Sequence, residues 1–112
     1  MASYERSRGP EHSDTAFALT ALGEVLAKKG DFAAAEPLIR RALAVQQRTL
    51  SADHPDTGLS MWHLAETLRG MQRLDEAEPL AREATRIWDQ TFGAEHEWTA
   101  WGQICLAEIR LA

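Results

Sequence analysis

The chain repeats itself at an interval of 42 residues, and this feature constrains its fold more than any other. Between residues 11–52 and 53–94, fourteen positions carry the same amino acid. Residues 95–112 repeat the first part of the same pattern a third time. Because a sequence period of this length is typical of stacked repeat architectures, we expect about two and a half copies of one structural unit in a single domain, residues 11–112.

The apolar residues inside each unit follow the 3.6-residue period of an α-helix. In the first unit, Leu19, Leu22 and Leu26 form one apolar stripe that we expect to face the core, and a second stripe runs over residues 35–45. Turn-forming residues interrupt the stripes, and short turns favour antiparallel neighbours. We therefore predict an all-α fold of five helices, at residues 13–29, 32–50, 55–71, 74–92 and 97–111.

Two local patterns predict how individual helices begin or face the solvent. The spacing of Asp75 and Glu78 predicts a capping box at the start of the fourth helix. In the last helix, Gln103 and Arg110 stand where the second unit has methionine and leucine. These polar residues predict that the outer face of the last helix meets water, as the terminal element of a stack requires.

The composition excludes several classes of function. Seventeen acidic against 12 basic side chains give a net charge of −5, which disfavours binding to nucleic acid or to an anionic membrane. No apolar run approaches the ~18 residues needed to cross a bilayer, and the first residues lack the apolar stretch of a secretory signal. Cys105 is the only cysteine, so no disulfide forms within the chain. We expect a cytoplasmic protein.

Three segments of the second unit carry a family resemblance. They are HPDT at 54–57, MWHLAETL at 61–68 and DEAEPLAR at 75–82. Together they resemble the tetratricopeptide repeat, and more narrowly its 42-residue variety found in kinesin light chains. The resemblance implies a right-handed superhelical stack of antiparallel helix pairs, an α-solenoid, whose first helices line a concave groove. It also implies a protein-interaction module or scaffold that holds a peptide or protein segment in that groove.

On the first helix of each unit, the side chains away from the apolar stripe are expected to face the groove. Glu24, Glu66 and Glu108 would then form a row of carboxylates beside aromatic side chains, which suits a peptide with basic and apolar residues. The alternative is that the glutamates are ordinary solvated residues and that the tryptophans pack between units. The predicted groove residues are Phe17, Thr20, Glu24, Lys28, Leu59, Trp62, His63, Glu66, Arg69, Trp101 and Glu108.

Two other functions remain open alongside groove binding. The last helix is apolar enough to form a homodimer interface, because a large exposed apolar patch would be covered by a symmetric partner. Alternatively, the chain is a regulatory fragment of a larger protein, and that larger protein could be an enzyme. The residues expected in the dimer patch are Trp98, Trp101, Ile104, Ile109 and Leu111.

The histidines and the cysteine favour structural roles over chemistry. His12, His54 and His96 recur once per unit before a groove helix, and their spacing places them in different layers of the stack. We therefore expect hydrogen bonds within the turns rather than a metal site, and we expect no cofactor. Cys105 and His63 are the one thiol and imidazole pair able to approach each other, and no motif activates either side chain. The sequence predicts a non-catalytic protein.

Residues 1–10 leave two interpretations open. Ala2 and Arg6 match Ala44 and Arg48 at the same 42-residue interval. The segment is therefore either the remnant of a helix that precedes the first unit or an N-terminal tail.

Overall fold

Five α-helices build the structure, a computed structural model that describes residues 13–51 and 53–111. The predicted helices agree with the observed bounds to within one residue at every end. In the described ranges there is no strand, and no helix is long and apolar enough to cross a membrane. The helices are α1 (Ser13–Lys28), α2 (Phe32–Thr49), α3 (Pro55–Gly70), α4 (Leu74–Phe92) and α5 (Glu97–Leu111).

Each helix packs against the next one along the chain, because the connections are too short to reach further. Within a unit, α1 contacts α2 and α3 contacts α4, while α2 contacts α3 and α4 contacts α5 between units. The first helices of successive units also meet, α1 with α3 and α3 with α5. The result is a stack in which α1, α3 and α5 form one row.

The hydrophobic core has a main cluster that extends across helices α2 to α5 and a smaller cluster between α1 and α2. Small residues stand where the helices approach each other most closely: Ala35, Ala42, Ala65, Ala77 and Ala84 are all fully buried. The larger side chains between them dominate the buried apolar surface, which is the main favourable contribution to folding. These are Ile39, Leu43, Met61, Leu64, Leu68, Ile87, Trp88 and Ile109.

The turns inside the first two units have the same geometry but not the same residue. After α1, the Asp31 amide donates to the Leu26 carbonyl over 2.9 Å, and Gly30 adopts a φ of +86°. After α3, the Arg73 amide donates to the Leu68 carbonyl over 2.9 Å. This hydrogen-bond pattern needs a left-handed residue after the helix, a role that glycine fills without strain. In the second unit Gln72 holds it, at a φ of 63°.

The prediction that Leu22 faces the core is wrong, because its side chain is 51% exposed. Its equivalent 42 residues later, Leu64, is 1% exposed and belongs to the core. In the stack, α2 packs against α3, whereas none of the described helices precedes α1. Helical periodicity identified an apolar face correctly but did not show whether a neighbour covers it.

The predicted capping box at α4 is also wrong. The helix begins at Leu74, and Arg73 is the capping residue, without a side-chain hydrogen bond to the backbone. Asp75 therefore lies within the first turn, too late to cap it. The Arg73 guanidinium pairs instead with Glu76 over 2.7 Å and reaches across to Glu36 over 2.8 Å.

The prediction of a polar outer face on the last helix is confirmed. Gln103 and Arg110 are exposed, whereas Met61 and Leu68 at the equivalent positions of α3 are buried. Arg110 lies 3.2 Å from the carboxylate of Glu78 on the neighbouring helix α4.

Candidate functional site

Two cavities open on the row formed by α1, α3 and α5, both between α1 and α3. The smaller has a volume of about 90 Å³ and a polar floor. There the Ser60 hydroxyl donates to the Gln46 side-chain oxygen over 2.5 Å and lies 3.1 Å from the Thr20 hydroxyl. Phe17 and Leu59 provide the apolar part of its wall. Thr20 was predicted to line the groove, and the structure places it in this buried network.

The larger cavity has a volume of about 320 Å³ and an apolar floor. Phe32 and Ile39 of α2 contribute to this floor, and Trp62 lines the cavity from α3. Its other lining residues include four that carry the charge of the site: Glu24, Lys28, Glu66 and Arg69. An apolar hollow bordered by a few charged groups is the usual form of a binding site, because the hollow provides affinity and the charges provide orientation.

His63 lies between the two cavities and contributes to both. Its side chain is largely buried, and its Nε2 atom lies 4.0 Å from the Glu24 carboxylate. Burial penalises the charged imidazolium and lowers the pKa of His63, against the smaller opposing effect of Glu24. Near neutral pH the site therefore presents an uncharged imidazole.

The predicted row of carboxylates exists, but two cations compensate it. Lys28 Nζ lies 3.1 Å from Glu24, and Arg69 Nη2 lies 2.7 Å from Glu66. The same Arg69 nitrogen is 3.6 Å from Glu108 on α5. Within this row, three carboxylates against two cations leave an excess of one negative charge, and Asp56 at the smaller cavity adds another carboxylate.

The tryptophans form a row that runs from the groove into the last unit. The rings of Trp62 and Trp101 are 5.7 Å apart, and the Trp62 indole donates to the Trp101 carbonyl over 3.3 Å. Trp101 also stacks on Trp98, which in turn lies 5.5 Å from Trp88. The tryptophans thus pack between units, and Trp101 keeps 38% of its surface exposed.

Comparison with known proteins gives the family of this stack of helix pairs. The family model described as tetratricopeptide repeat matches residues 1–48, 14–87 and 59–112. The chain belongs to the tetratricopeptide repeat family. Repeats of this family generally mediate protein–protein interactions and are generally non-catalytic. No curated protein matches the chain.

Sequence reasoning missed the part of the tetratricopeptide groove that comes from the second helices. Phe32, Ile39 and Gln46 all lie on α2, whereas the predicted groove residues all came from the first helices of the units, α1, α3 and α5. Gln46 left a readable signal, because it is a polar residue at helical spacing from the apolar positions Ile39 and Ala42. The sequence carries no sign that Phe32 and Ile39 line a cavity, since apolar residues at those positions are expected in any core helix.

The five residues of the predicted dimer patch do not share one exposed surface. Ile109 is 5% exposed and belongs to the core. Trp98 is half-buried and packs against the same core. Trp101 and Ile104 are exposed, as is Leu111 at the end of α5. The prediction is wrong for Ile109, because this residue is equivalent to the buried Thr67 and faces the core.

The histidines before α3 and α5 act as helix caps. The Nδ1 atom of His54 accepts from the Asp56 amide over 3.0 Å, and that of His96 accepts from the Trp98 amide over 3.0 Å. The prediction of hydrogen bonds within the turns is confirmed for these two histidines. The third, His12, lies outside the described residues. Among the described residues, no group of three histidine, cysteine or acidic side chains is arranged to hold a metal ion.

Cys105 is a free, buried cysteine on α5. Burial raises the pKa of the thiol far above its ordinary value, and the nearby Glu66 carboxylate acts in the same direction. Since the thiolate is the reactive form, this environment disfavours nucleophilic chemistry at Cys105.

Proposed function

We propose that this tetratricopeptide repeat chain is a non-catalytic interaction module that binds a peptide or protein segment in the groove of α1, α3 and α5. The larger cavity carries the proposal, because it combines an apolar floor with a charged border on the open side of the stack. A cavity of this size accepts one bulky apolar side chain of a partner.

The charges around the cavity indicate which residues the partner carries. The excess negative charge of the groove favours a basic residue next to the apolar anchor. Glu108 is the carboxylate best placed to receive it, because it is half-exposed and its ion pair with Arg69, at 3.6 Å, is longer than those that Glu24 and Glu66 make with Lys28 and Arg69. The exposed face of Trp101 offers a second contact for a lysine or arginine through a cation–π interaction.

Two finer assignments accompany this proposal. The first helices of successive units start 42 residues apart, which supports membership of the kinesin light chain-like type. The unpaired, buried Cys105 thiol supports a cytoplasmic location, where thiols stay reduced.

Selection of a random peptide library against the full chain tests the proposal. Enriched peptides are expected to combine an apolar residue with lysine or arginine, and calorimetric titration then gives their dissociation constants. Glu108→Lys should weaken binding at least tenfold, which corresponds to about 1.4 kcal/mol. Asp89→Lys makes the same charge change on the exposed side of α4 and should leave binding unchanged. Peptides that bind both variants equally would locate the binding surface outside the groove.

Self-association through α5 has weaker support than groove binding. Of the three exposed patch residues, Trp101 already packs on Trp62 in the groove, which leaves Ile104 and Leu111. A regulatory role within a larger protein is compatible with the groove proposal, because the same surface would serve it.

A further inference from the structure

The smaller cavity between α1 and α3 combines an apolar wall with acidic groups. Phe17 and Leu59 form the wall, and the Phe17 side chain is 63% exposed. Two carboxylates, those of Glu24 and Asp56, also line the cavity. None of the described residues that line it is a lysine or an arginine. An apolar wall next to negative charge suits a side chain with an aliphatic stem and a cationic end.

The neighbours of these two carboxylates leave the cavity acidic. The Nδ1 atom of His54 lies 3.9 Å from the Asp56 carboxylate, but it accepts a hydrogen bond from the Asp56 amide, so this imidazole is uncharged. On the other side of the cavity, Lys28 contacts the Oε2 atom of Glu24 over 3.1 Å. The Oε1 atom of Glu24 lies instead 4.0 Å from His63, whose pKa is lowered by burial. Of these three neighbours only Lys28 is a cation near neutral pH.

The hydrogen-bond chain in the floor of the cavity ends in an acceptor. Ser60 has one hydroxyl proton, which it donates to the side-chain oxygen of Gln46. The proton shared by Ser60 and Thr20, whose oxygens are 3.1 Å apart, therefore comes from Thr20. The Thr20 oxygen, in a side chain that is 7% exposed, keeps its lone pairs as an acceptor at the cavity. The floor thus favours a ligand that donates hydrogen bonds.

We propose that the smaller cavity is a lysine subsite, which receives the ammonium group of a partner segment whose apolar anchor occupies the larger cavity. This inference rests on the proposed function and adds a second position to it. The ammonium group has three donors, which match oxygens of Asp56, Glu24 and Thr20. The four-carbon stem of lysine packs along Phe17 and Leu59. A compact ammonium suits a cavity of about 90 Å³ better than the planar fork of arginine does.

The positions of the two cavities along the groove set the spacing of the two side chains. On α3 the smaller cavity is lined by residues between Asp56 and His63, and the larger one by residues between Trp62 and Gly70. Their centres are displaced by about six residues along the helix, which is about 9 Å at the helical rise. A segment in the polyproline II conformation advances about 9 Å in three residues, and side chains at this interval point to the same side. The lysine therefore stands three residues from the apolar anchor.

Synthetic peptides of defined sequence test the subsite. Each has acetylated and amidated ends, with phenylalanine and lysine separated by two prolines and flanked by serines, and the two orders of phenylalanine and lysine are compared. In nuclear magnetic resonance of the full chain, methyl signals of Ile39 report on the larger cavity and those of Leu59 on the smaller. We expect the better of the two peptides to shift both sets of signals. Norleucine, which keeps the stem without the ammonium group, should bind about fivefold more weakly than lysine.

The variant Asp56→Asn identifies the charge that the lysine meets. It should weaken binding of the lysine peptide about threefold and leave the norleucine peptide unchanged, because the interaction is between partly exposed charges. Asp75→Asn removes the same charge from the first turn of α4, away from both cavities, and should leave both peptides unchanged. Circular dichroism confirms that both variants keep their helices.

Several results would overturn the lysine subsite. These are equal affinities for lysine and norleucine, tighter binding of the arginine peptide, or an equal effect of Asp56→Asn on the lysine and norleucine peptides. If signals of Ile39 shift while those of Leu59 do not, the subsite is wrong and groove binding stands. If neither set shifts with any of these peptides, groove binding of this kind of segment is wrong as well.

Discussion

The helices α1 and α3 occupy the same place in successive units, yet they have different surroundings. Both carry leucine at the equivalent positions 22 and 64, with exposures of 51% and 1%. The α3 helix has α2 on one side and α4 on the other, while α2 is the one described helix packed broadly along α1. In a stack of repeats, the contribution of a residue to stability thus depends on the adjacent unit as much as on its own.

The largest expected difference comes from removing these two leucines. Leu64→Ala should lower the free energy of unfolding by about 2–5 kcal/mol, because it leaves a cavity in the core. Leu22→Ala should lower it by about 1 kcal/mol, because half of the side chain lies outside the packed interior. Urea unfolding followed by circular dichroism measures both values. Equal losses would show that α1 is covered as completely as α3.

The next difference concerns Gly23 and its equivalent Ala65. A methyl group on Gly23 would lie 2.5 Å from Cγ1 of Ile39, so Gly23→Ala forces a rearrangement that costs about 1–3 kcal/mol. The better helix propensity of alanine offsets about 1 kcal/mol of this, and we expect a net loss of about 1 kcal/mol. At the equivalent position of α3 the native residue is alanine, and there Ala65→Gly should be the destabilising change.

Ile39→Ala provides the control for the Gly23 experiment, because it removes Cγ1, the atom that the new methyl group would meet. The double variant should lose less stability than the sum of the two single variants. A net gain in stability from Gly23→Ala alone would contradict the close approach of α1 and α2.

A smaller difference between α1 and α3 concerns how stability depends on pH. The α3 helix carries His63 at the position where α1 has Ala21. Burial lowers the pKa of His63 in the folded chain below the value of 6.5 for an unburied histidine. Below pH 6.5 the unfolded state therefore binds more protons than the folded state, and the free energy of unfolding should fall as the pH is lowered through this range. Denaturation at pH 7.5 and 5.5 measures the effect. His63→Gln should reduce the pH dependence, and an unchanged slope would assign it to other groups.

The smallest difference lies in the turns that end α1 and α3. Gly30 and Gln72 hold the same left-handed position, where a residue other than glycine is strained by about 1 kcal/mol. Gln72→Gly should raise the free energy of unfolding by a few tenths of a kcal/mol, because the greater freedom of glycine in the unfolded chain offsets part of the relief. Gly30→Gln should lower it by a few tenths of a kcal/mol, because the same two effects act with opposite sign. Thermal unfolding distinguishes the two signs, and a loss in both variants would contradict equivalent turns.

Much of the fold was predictable, because the signals that specify it are local. The period of 42 residues and the helical spacing of apolar residues predicted all five helices. The polar residues Gln103 and Arg110 predicted the solvent-facing side of α5. The candidate site was less predictable: its charged groups were identified, but their pairing through Arg69 and the apolar floor from Phe32 and Ile39 were not. Both depend on distances between residues that lie far apart in sequence.

The sequence alone determined the repeat, because identical residues recur at an interval of 42 positions. It also determined the helices and the turns, since each of these is specified by residues within one or two helical turns of one another. Only the tertiary structure decided which apolar faces are covered. Leu22 and Ile109 both belong to apolar stripes, but one is exposed on α1 and the other buried behind α4. Periodicity identifies a face that prefers to leave water, and burial requires a neighbouring helix that is supplied by a different part of the chain.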